Sequence, residues 1–427
     1  MAADCAALAL TILLYMAFNF FPGIGLVVVV CMAAGLLLSR NDRYFRKKWI
    51  LAAGAAAALL AGMIAKPYSL CMAIITLAAI CALWNLMLDL KGGKETGCSR
   101  VLTTFSFCVS GLLCLVWLFL LVNAVNPDLV SMKTQKGAAN YPTDIETRIV
   151  QKNGITGYFD ILYDSTYRNN TYSVYALDDS KGVLFYLHGG GLVTGDKATN
   201  DSYLSGILEG GYSVVTVDYT LAPQDPFPCS VLQVNEALAY FVRHAEDYSL
   251  DASRIFVAGA SAGAMLSGLL ACINTDPVYA EKLGVTPALE GTDSSIYGFI
   301  SLSGLVDVRR YSNTGIILFD WLFDTWGRSV FHNNNYAISD EAGLGSVLES
   351  VSLSFPPSYI SDGNRGSFSD QGMDLAAKLK DLGIPVETNF PSKQDIVLSH
   401  VWELHPESSN MALDNLKRTL AFMDGLG

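Results

Sequence analysis

The sequence is poor in charge, in histidine and in patterned cysteine. Only 16% of its 427 residues are charged, it has five histidines, and its nine cysteines show no spacing typical of a metal site or a disulfide framework. Seven of the cysteines lie within the apolar first 125 residues, where cysteine behaves as a small apolar side chain. Only Cys229 and Cys272 follow, and whether they pair stays open. We expect no metal and no other cofactor.

Basic residues are also scarce in the part of the chain that resembles a globular protein. Residues 1–125 hold 9 Lys and Arg against 4 Asp and Glu, a net charge of +5, whereas the remainder holds 19 against 36, a net charge of −17. An acidic domain repels nucleic acid and anionic lipid headgroups. The sequence therefore excludes nucleic acid as a partner.

Long apolar runs dominate residues 1–125. A helix that crosses a bilayer needs about 20 mainly apolar residues, and five such spans are predicted, with four as the alternative if Phe21-Pro22-Gly23 is a kink and not a turn. None of them carries a charge deep in its apolar stretch, so we expect an anchor and not a transport path. The predicted spans lie near 3–20, 24–39, 49–65, 69–90 and 101–124.

The orientation of these spans follows from their basic loops, because short loops rich in Lys and Arg stay in the cytoplasm. Such residues crowd the loops after the second and fourth spans, so the fifth span runs outward. We expect an integral protein of the plasma membrane whose remaining chain is extracytoplasmic and whose helices contact the lipid bilayer. The basic residues are Arg40, Arg43, Arg46, Lys47 and Lys48 in one loop, and Lys91, Lys94 and Arg100 in the other.

Strand-like and helix-like patterns alternate through the rest of the chain. Residues 126–144 read as a linker or short cap segment, and 145–427 as one domain, beginning with a strand pair at 145–151 and 156–163. This order predicts a mostly parallel sheet with helices on both faces and a site at the carboxyl ends of its strands. The further strands are predicted at 182–187, 212–217, 254–258, 296–302, 357–361 and 385–390, and the helices at 201–209, 230–246, 262–273 and 370–382.

The strongest chemical signal is Gly259-Ala260-Ser261-Ala262-Gly263, which stands between a predicted strand and an apolar helix. Small residues flank Ser261 because the chain must turn sharply there while the serine oxygen stays exposed. The motif alone occurs often by chance, but its place between strand and helix gives it weight. Ser261 is therefore predicted to be a nucleophile.

A glycine run, His188-Gly189-Gly190-Gly191, follows an earlier apolar strand. Taken alone it could be a flexible turn. Glycines also let backbone N–H groups approach a reacting carbonyl group. With the nucleophile motif downstream, the N–H groups of Gly189, Gly190 and Ala262 are predicted to form an oxyanion hole.

Together with Asp218-Tyr219-Thr220-Leu221-Ala222-Pro223 and Pro226-Phe227-Pro228, these motifs resemble the hormone-sensitive-lipase-like group of α/β-hydrolase esterases. The resemblance runs from about residue 180 to the end and leaves the membrane region unexplained. It implies an α/β-hydrolase domain with a small cap or lid, and carboxylic-ester hydrolysis by a triad of serine, histidine and an acid.

The general base must be one of the five histidines. Three have structural interpretations: His188 in the glycine motif, His244 late in a helix, and His332 in an aromatic insertion at 311–336. Of the remaining two, His400 is preferred to His405. It follows the last predicted strand, and the resemblance implies the catalytic histidine in that loop.

The acid departs from the family pattern, because Gly366 occupies the position where the resemblance implies an aspartate. Asp370 is the leading candidate, at the start of a predicted helix. Asp307 and Asp362 are the alternatives, and the triad could also lack an acid. Asp370 and Asp307 each have an ordinary role open to them, at a helix terminus or in a turn.

The predicted function is that of a membrane-anchored serine esterase acting on short-chain acyl or acetyl esters through an acyl-enzyme on Ser261. Its substrate would be a small molecule or an acylated lipid or glycan. One alternative is an acyltransferase to a surface glycan or lipid, since the first half-reaction is the same. Another is a non-catalytic, hydrolase-like sensor or scaffold, which Gly366 favours and the intact Ser261 and His400 oppose.

Overall fold

The computed structural model describes residues 126–135, 147–198 and 201–426. The membrane spans predicted within residues 1–125 lie outside this part of the chain. Within the described ranges, no helix combines the length and the apolar character that crossing a membrane requires. Residues 136–144 of the predicted linker or cap segment also fall outside them.

The described residues form a nine-stranded sheet whose centre and one side are parallel. Its strands are β1 Arg148–Lys152, β2 Ile155–Leu162, β3 Thr171–Leu177, β4 Val183–Leu187, β5 Ser213–Val217, β6 Arg254–Ala260, β7 Ser295–Leu302, β8 Ser358–Ser361 and β9 Val386–Asn389. Their spatial order is β1-β2-β3-β5-β4-β6-β7-β8-β9. The pairs β1-β2, β2-β3 and β3-β5 are antiparallel, and every pair from β5 to β9 is parallel. The predicted mostly parallel sheet is confirmed.

Helices cover both faces of this sheet. They are α1 Pro127–Thr134, α2 Asp201–Glu209, α3 Cys229–His244, α4 Ala262–Thr275, α5 Pro277–Leu283, α6 Ile317–Val330, α7 Asp340–Leu344, α8 Val347–Ser350, α9 Ser369–Asp381 and α10 Asn410–Gly425. The larger core cluster takes side chains from α3, α4 and α9, and the smaller one from α2 and α10. The sheet is thus the middle of three layers.

Strand β4 shows why its sequence is apolar throughout. Val183, Phe185 and Leu187 point into the larger core cluster, whereas Leu184 and Tyr186 point into the smaller one. All five side chains are buried. A strand covered on both faces has no solvent side, so an unbroken apolar run replaces the alternation of a half-exposed strand.

Several elements differ from the sequence prediction. The Asn126-Pro127 break begins helix α1, because proline lacks a donor that the first turn of a helix does not need. The sequence prediction also lacks strand β3 and helices α5, α6, α7, α8 and α10. In β3 the polar residues Thr171 and Ser173 obscure the apolar pattern, although both are buried.

The carboxyl ends of the parallel strands lie at one edge of the sheet. His188 follows β4 there, Ser261 follows β6, and Asp362 follows β8. These three positions come from segments far apart in the chain. The topology therefore brings the predicted functional motifs to one place.

Candidate active site

Ser261 occupies the sharp turn between β6 and α4. Its backbone has φ 55° and ψ −120°, a conformation that costs an L-residue energy and is held only by its surroundings. The Ser261 N–H donates to the Leu302 carbonyl at 3.0 Å, and its own carbonyl accepts from the Leu305 N–H at 3.1 Å. These bonds to the segment after β7 hold the strained serine at the sheet edge.

His400 lies beside this serine, in the loop that follows β9. Its Nε2 is 3.0 Å from Ser261 Oγ. The next residue, Val401, has a positive φ of 56°, and its N–H donates to Ser303 Oγ at 3.0 Å, which fixes the loop. Burial lowers the pKa of the imidazole from 6.5 to about 4. At neutral pH the ring is uncharged and can accept the Ser261 proton.

The other ring nitrogen of His400 contacts a hydroxyl and not a carboxylate. Nδ1 lies 2.7 Å from Ser367 Oγ, and the Ser367 hydroxyl donates in turn to Asp362 Oδ1. Both Ser367 and Asp362 are buried. The structure thus contains a continuous hydrogen-bonded chain of Ser261, His400, Ser367 and Asp362.

The glycine loop after β4 lies against Ser261. A methyl group on Gly189 would come within 3.4 Å of Ser261 Cβ, so the backbones approach closely. Gly190 has φ +116°, and a methyl group there would lie 2.0 Å from the Thr194 carbonyl oxygen. Only glycine fits either position without a shift of the loop.

Each carbonyl group of this loop is engaged by a donor inside the domain. These bonds fix the conformation of the loop. The oxyanion hole formed by its N–H groups and that of Ala262, the first residue of α4, stays a prediction. The donors to the His188, Gly189, Gly190 and Gly191 carbonyls are, in order, the Tyr219 hydroxyl, His188 Nδ1, the Val193 and Thr194 N–H groups, and the Tyr311 hydroxyl.

The Asp218-Tyr219 motif supports the loop from behind. The Tyr219 ring stacks on His188 with centroids 4.2 Å apart. Buried Asp218 accepts from Thr171 Oγ1 at 2.7 Å and forms an ion pair with Lys197 at 2.8 Å. His188 therefore has a structural role, as its sequence position indicated.

Known proteins share the fold of this chain. Residues 184–396, about half of the chain, match a family model described as alpha/beta hydrolase fold. Esterase B from Lactobacillus Rhamnosis is 16% identical over 71% of this chain and 92% of that one, with a TM-score of 0.55. A bacterial heroin esterase is 22% identical over 64% and 86%, with a TM-score of 0.51. A Pyrobaculum calidifontis esterase is 20% identical over 70% and 89%, with a TM-score of 0.50.

The chain has an α/β-hydrolase fold. At these identities the solved structures establish the fold alone. With the family match, they support the enzyme class that the sequence predicts, a carboxylic-ester hydrolase.

The three candidate acids of the hydrolase have different surroundings. Asp370 lies at the start of α9, where it pairs with Arg310 at 3.3 Å. Asp307 accepts from the Arg309 N–H and pairs with Arg310 at 2.7 Å. Neither is brought to His400. Of the three, only Asp362 reaches the imidazole, and it does so through Ser367.

Replacing Asp370 with asparagine is expected to change kcat for ester hydrolysis by less than about twofold. The side chain is 44% exposed, and exposed ion pairs contribute little. Arg310 also keeps its partners Asp307 and Asp374. Steady-state kinetics on p-nitrophenyl butyrate measure this. A loss above tenfold would mean that Asp370 serves the reaction after all.

The side chains of the remaining histidines contact other residues. His332 Nε2 lies 3.0 Å from the Pro223 carbonyl oxygen. His244 pairs with Asp247 at 2.9 Å, and His405 is an exposed partner of Glu407 at 3.4 Å. Among the five, His400 is the one that contacts Ser261.

Aromatic side chains of the predicted insertion both line the site and pack the cap. Phe323 and Phe368 lie edge-on to His400, with ring centroids 6.4 and 5.2 Å away. A methyl group on Gly191 would lie 2.3 Å from the Trp326 ring, so that ring closes over the glycine loop. Apolar rings therefore lie beside both His400 and the glycine loop.

Helix α1 packs on this aromatic cap. Ser131 Oγ lies 2.7 Å from Ser329 Oγ, and both side chains are buried. Trp326 Nε1 donates to Thr134 Oγ1 at 3.1 Å. The described part of the predicted linker or cap segment thus packs on the aromatic insertion.

The two cysteines of the described chain are free thiols. Cys272 is buried within α4, and Cys229 begins α3. Burial raises the pKa of both thiols, which disfavours the nucleophilic thiolate. Neither thiol competes with Ser261 for the role of nucleophile.

Proposed function

We propose that the chain is a membrane-anchored serine esterase that hydrolyses carboxylic esters of short acyl groups through an acyl-enzyme on Ser261. The observation that carries this is the 3.0 Å contact between Ser261 Oγ and His400 Nε2, beside the amide groups of the glycine loop. Nucleophile, base and oxyanion donors are the three parts that acyl transfer requires.

In the first half-reaction, His400 Nε2 takes the proton as Ser261 Oγ attacks the ester carbonyl carbon. The N–H groups of Gly189, Gly190 and Ala262 then stabilise the oxyanion of the tetrahedral intermediate. His400 returns the proton to the alcohol oxygen, the carbon–oxygen bond breaks, and the acyl group stays on Ser261.

In the second half-reaction, water takes the place of the alcohol. His400 removes a proton from the water as it attacks the acyl-enzyme, and the same amide groups stabilise the second oxyanion. Collapse of this intermediate releases the carboxylic acid and returns the proton to Ser261. No step requires a metal or a cofactor.

The aromatic rings around the centre support a preference for apolar acyl groups. Phe323, Phe368 and Trp326 crowd the space beside His400 and the glycine loop. Apolar rings favour contact with an apolar acyl group. A small-molecule ester or a short acyl group on a lipid or glycan would provide one.

Anchoring and orientation rest on the sequence. The apolar runs of residues 1–125 and their basic loops support an anchor in the plasma membrane with the hydrolase domain outside the cytoplasm. An epitope tag after Gly427 should be accessible to antibody on intact cells or spheroplasts. If antibody reached the tag only after permeabilisation, the C-terminus would be cytoplasmic and the predicted orientation wrong. Recovery of the chain in the soluble fraction would exclude the anchor.

The first test of the activity is covalent labelling of the purified full chain with a fluorophosphonate. We expect one phosphonyl group, located by mass spectrometry on the peptide containing Ser261, and turnover of p-nitrophenyl acetate and butyrate but little of the laurate. Transfer of the acyl group to added glycerol in place of water would indicate an acyltransferase. A chain that neither labels nor turns over these esters would have to be a sensor or scaffold.

A further inference from the structure

His400 Nδ1 contacts the Ser367 hydroxyl, which in turn donates to the buried Asp362 carboxylate. In the esterase mechanism proposed above, these two residues stand where a triad has one carboxylate. We propose that Ser367 and Asp362 are positioning residues that together replace the triad carboxylate, with the single Ser367 hydroxyl proton setting the tautomer of His400. This inference rests on the proposed function and concerns how its base is oriented.

Proton counting gives the chain of hydrogen bonds a direction. The Ser367 hydroxyl has one proton, which it donates to Asp362 Oδ1, so its oxygen can only accept from His400 Nδ1–H. The proton on Nδ1 leaves Nε2 free to accept from Ser261. This is the tautomer that a general base requires.

The opposite direction would disable the base. If Asp362 held a proton on Oδ1 and donated it to Ser367, the Ser367 hydroxyl would donate to His400 Nδ1. The ring would then carry its proton on Nε2 and could no longer accept from Ser261. Protonation of Asp362 on Oδ1 thus reverses the chain of donors.

A second buried carboxylate, Glu403, lies close to Asp362. The Ser303 and Ser361 hydroxyls donate to its two oxygens at 2.8 and 2.9 Å. The Tyr203 and Tyr359 hydroxyls lie near Glu403, and its negative charge would oppose their ionisation. The titratable groups that act on Asp362 in the described chain are therefore Glu403 and, through Ser367, His400.

Burial, followed by repulsion from Glu403, raises the pKa of Asp362 well above its ordinary value. Burial also raises the pKa of Glu403 to about 7. Two neighbouring carboxyl groups in a buried site do not both ionise readily, so the pair holds a proton well above the range of a free aspartate. Its negative charge is present above the pKa of the pair and is lost as the pH falls through it.

This ordering predicts the acid limb of the pH profile. If Asp362 and Ser367 had no influence, the buried His400 ring would remain a neutral base at every pH above its pKa of about 4. If its tautomer depends on the acid pair, activity disappears at a higher pH. Removing the Ser367 hydroxyl disconnects the ring from the pair, so the acid limb should move to lower pH while the rate at neutral pH falls.

The test compares Ser367→Ala, Asp362→Asn, the double variant and wild type, using kcat and KM for p-nitrophenyl butyrate between pH 4 and 9. Each single variant should lose about a hundredfold in kcat with KM little changed, because it forfeits part of the 10²–10⁴-fold that an oriented base supplies. The double variant should lose no more than the larger single loss, since both residues act in series. Ser367→Ala should also shift the acid limb downward.

Ser369→Ala is the matched control, since it removes a hydroxyl two residues away at the start of α9. It should keep the wild-type rate and acid limb. Thermal unfolding of every variant separates loss of fold from loss of rate, and Ser367→Thr, which retains the hydroxyl, should recover most of the kcat.

The proposed function and this inference fail in different ways. If the wild-type chain is neither labelled nor turns over esters, the proposed esterase function is wrong. An active wild type whose Ser367→Ala variant keeps its rate and its acid limb overturns the positioning role alone. Multiplicative losses in the double variant would also overturn it, because Asp362 would then act independently of Ser367.

Discussion

Replacing Ser261 with alanine is expected to lower kcat for ester hydrolysis by about 10⁶-fold, the scale seen when a serine nucleophile is removed from a comparable triad. His400 would still be present, yet without an oxygen to activate no acyl-enzyme can form. The glycine-loop amides would remain and could support only a small residual rate. Turnover of p-nitrophenyl butyrate and fluorophosphonate labelling measure the two consequences together.

Labelling should vanish along with turnover, because both need the same oxygen. The matched control is Ser295→Ala, an exposed serine at the start of β7, the end of that strand remote from the site. It should label and turn over as wild type does. If Ser261→Ala retained either property, the nucleophile would have to be sought elsewhere, and the acyl-enzyme proposal would fall.

The sequence could predict Ser261 and the glycine loop because each depends on a short motif next to a strand. Ser261 needs small neighbours on both sides. Gly189 and Gly190 must be glycine because a side chain at either position would meet nearby backbone atoms. Such requirements are local and leave a visible pattern. The central strands β4, β5 and β6 were equally visible, since burial on both faces leaves unbroken apolar runs.

The partner of His400 could not be predicted in the same way. Ser367 reaches Nδ1 because the loop after β8 and the loop after β9 meet in space, 33 residues apart in the chain. The family resemblance implies an acid as the partner of the histidine, whereas serine at 367 is an ordinary residue for a loop. Only the expectation that Asp362 was a possible acid pointed to the right region.

Helix α1 shows a similar limit. A proline after Asn126 reads as a break, yet proline is acceptable at the first position of a helix. What makes the segment helical is its contact with the cap, where Val130 and Ser131 are buried. The sequence holds too few apolar residues there to signal this. Tertiary contacts decided the structure of the segment.

The glycine at position 263 is expected to be almost as sensitive as the nucleophile. A methyl group there would lie 2.1 Å from the Leu187 carbonyl oxygen and 2.5 Å from that of His188. These are backbone atoms at the end of β4, so the contact cannot be relieved by turning a side chain. The start of α4 and the glycine loop would have to separate.

Separation of these two segments divides the oxyanion hole, because Ala262 lies on one side and Gly189 and Gly190 lie on the other. Loss of one such donor costs about 10²–10³-fold in kcat, and we expect Gly263→Ala to lose about 10³-fold. Overpacking of about 1–3 kcal/mol should also lower the melting temperature. The measurements are kcat and KM on p-nitrophenyl butyrate, the rate of fluorophosphonate labelling, and thermal unfolding.

Gly268→Ala provides the control within the same helix. Its added methyl group would meet the Val347 side-chain methyl groups at 2.8 Å, which can move, and it lies away from the glycine loop. This variant should keep its activity even if its melting temperature changes. Because phosphonylation also places charge in the oxyanion hole, Gly263→Ala should label slowly while still carrying an intact Ser261. Normal labelling and turnover in Gly263→Ala would show that the close approach of β4 to α4 is a packing feature and that the oxyanion is held by other donors.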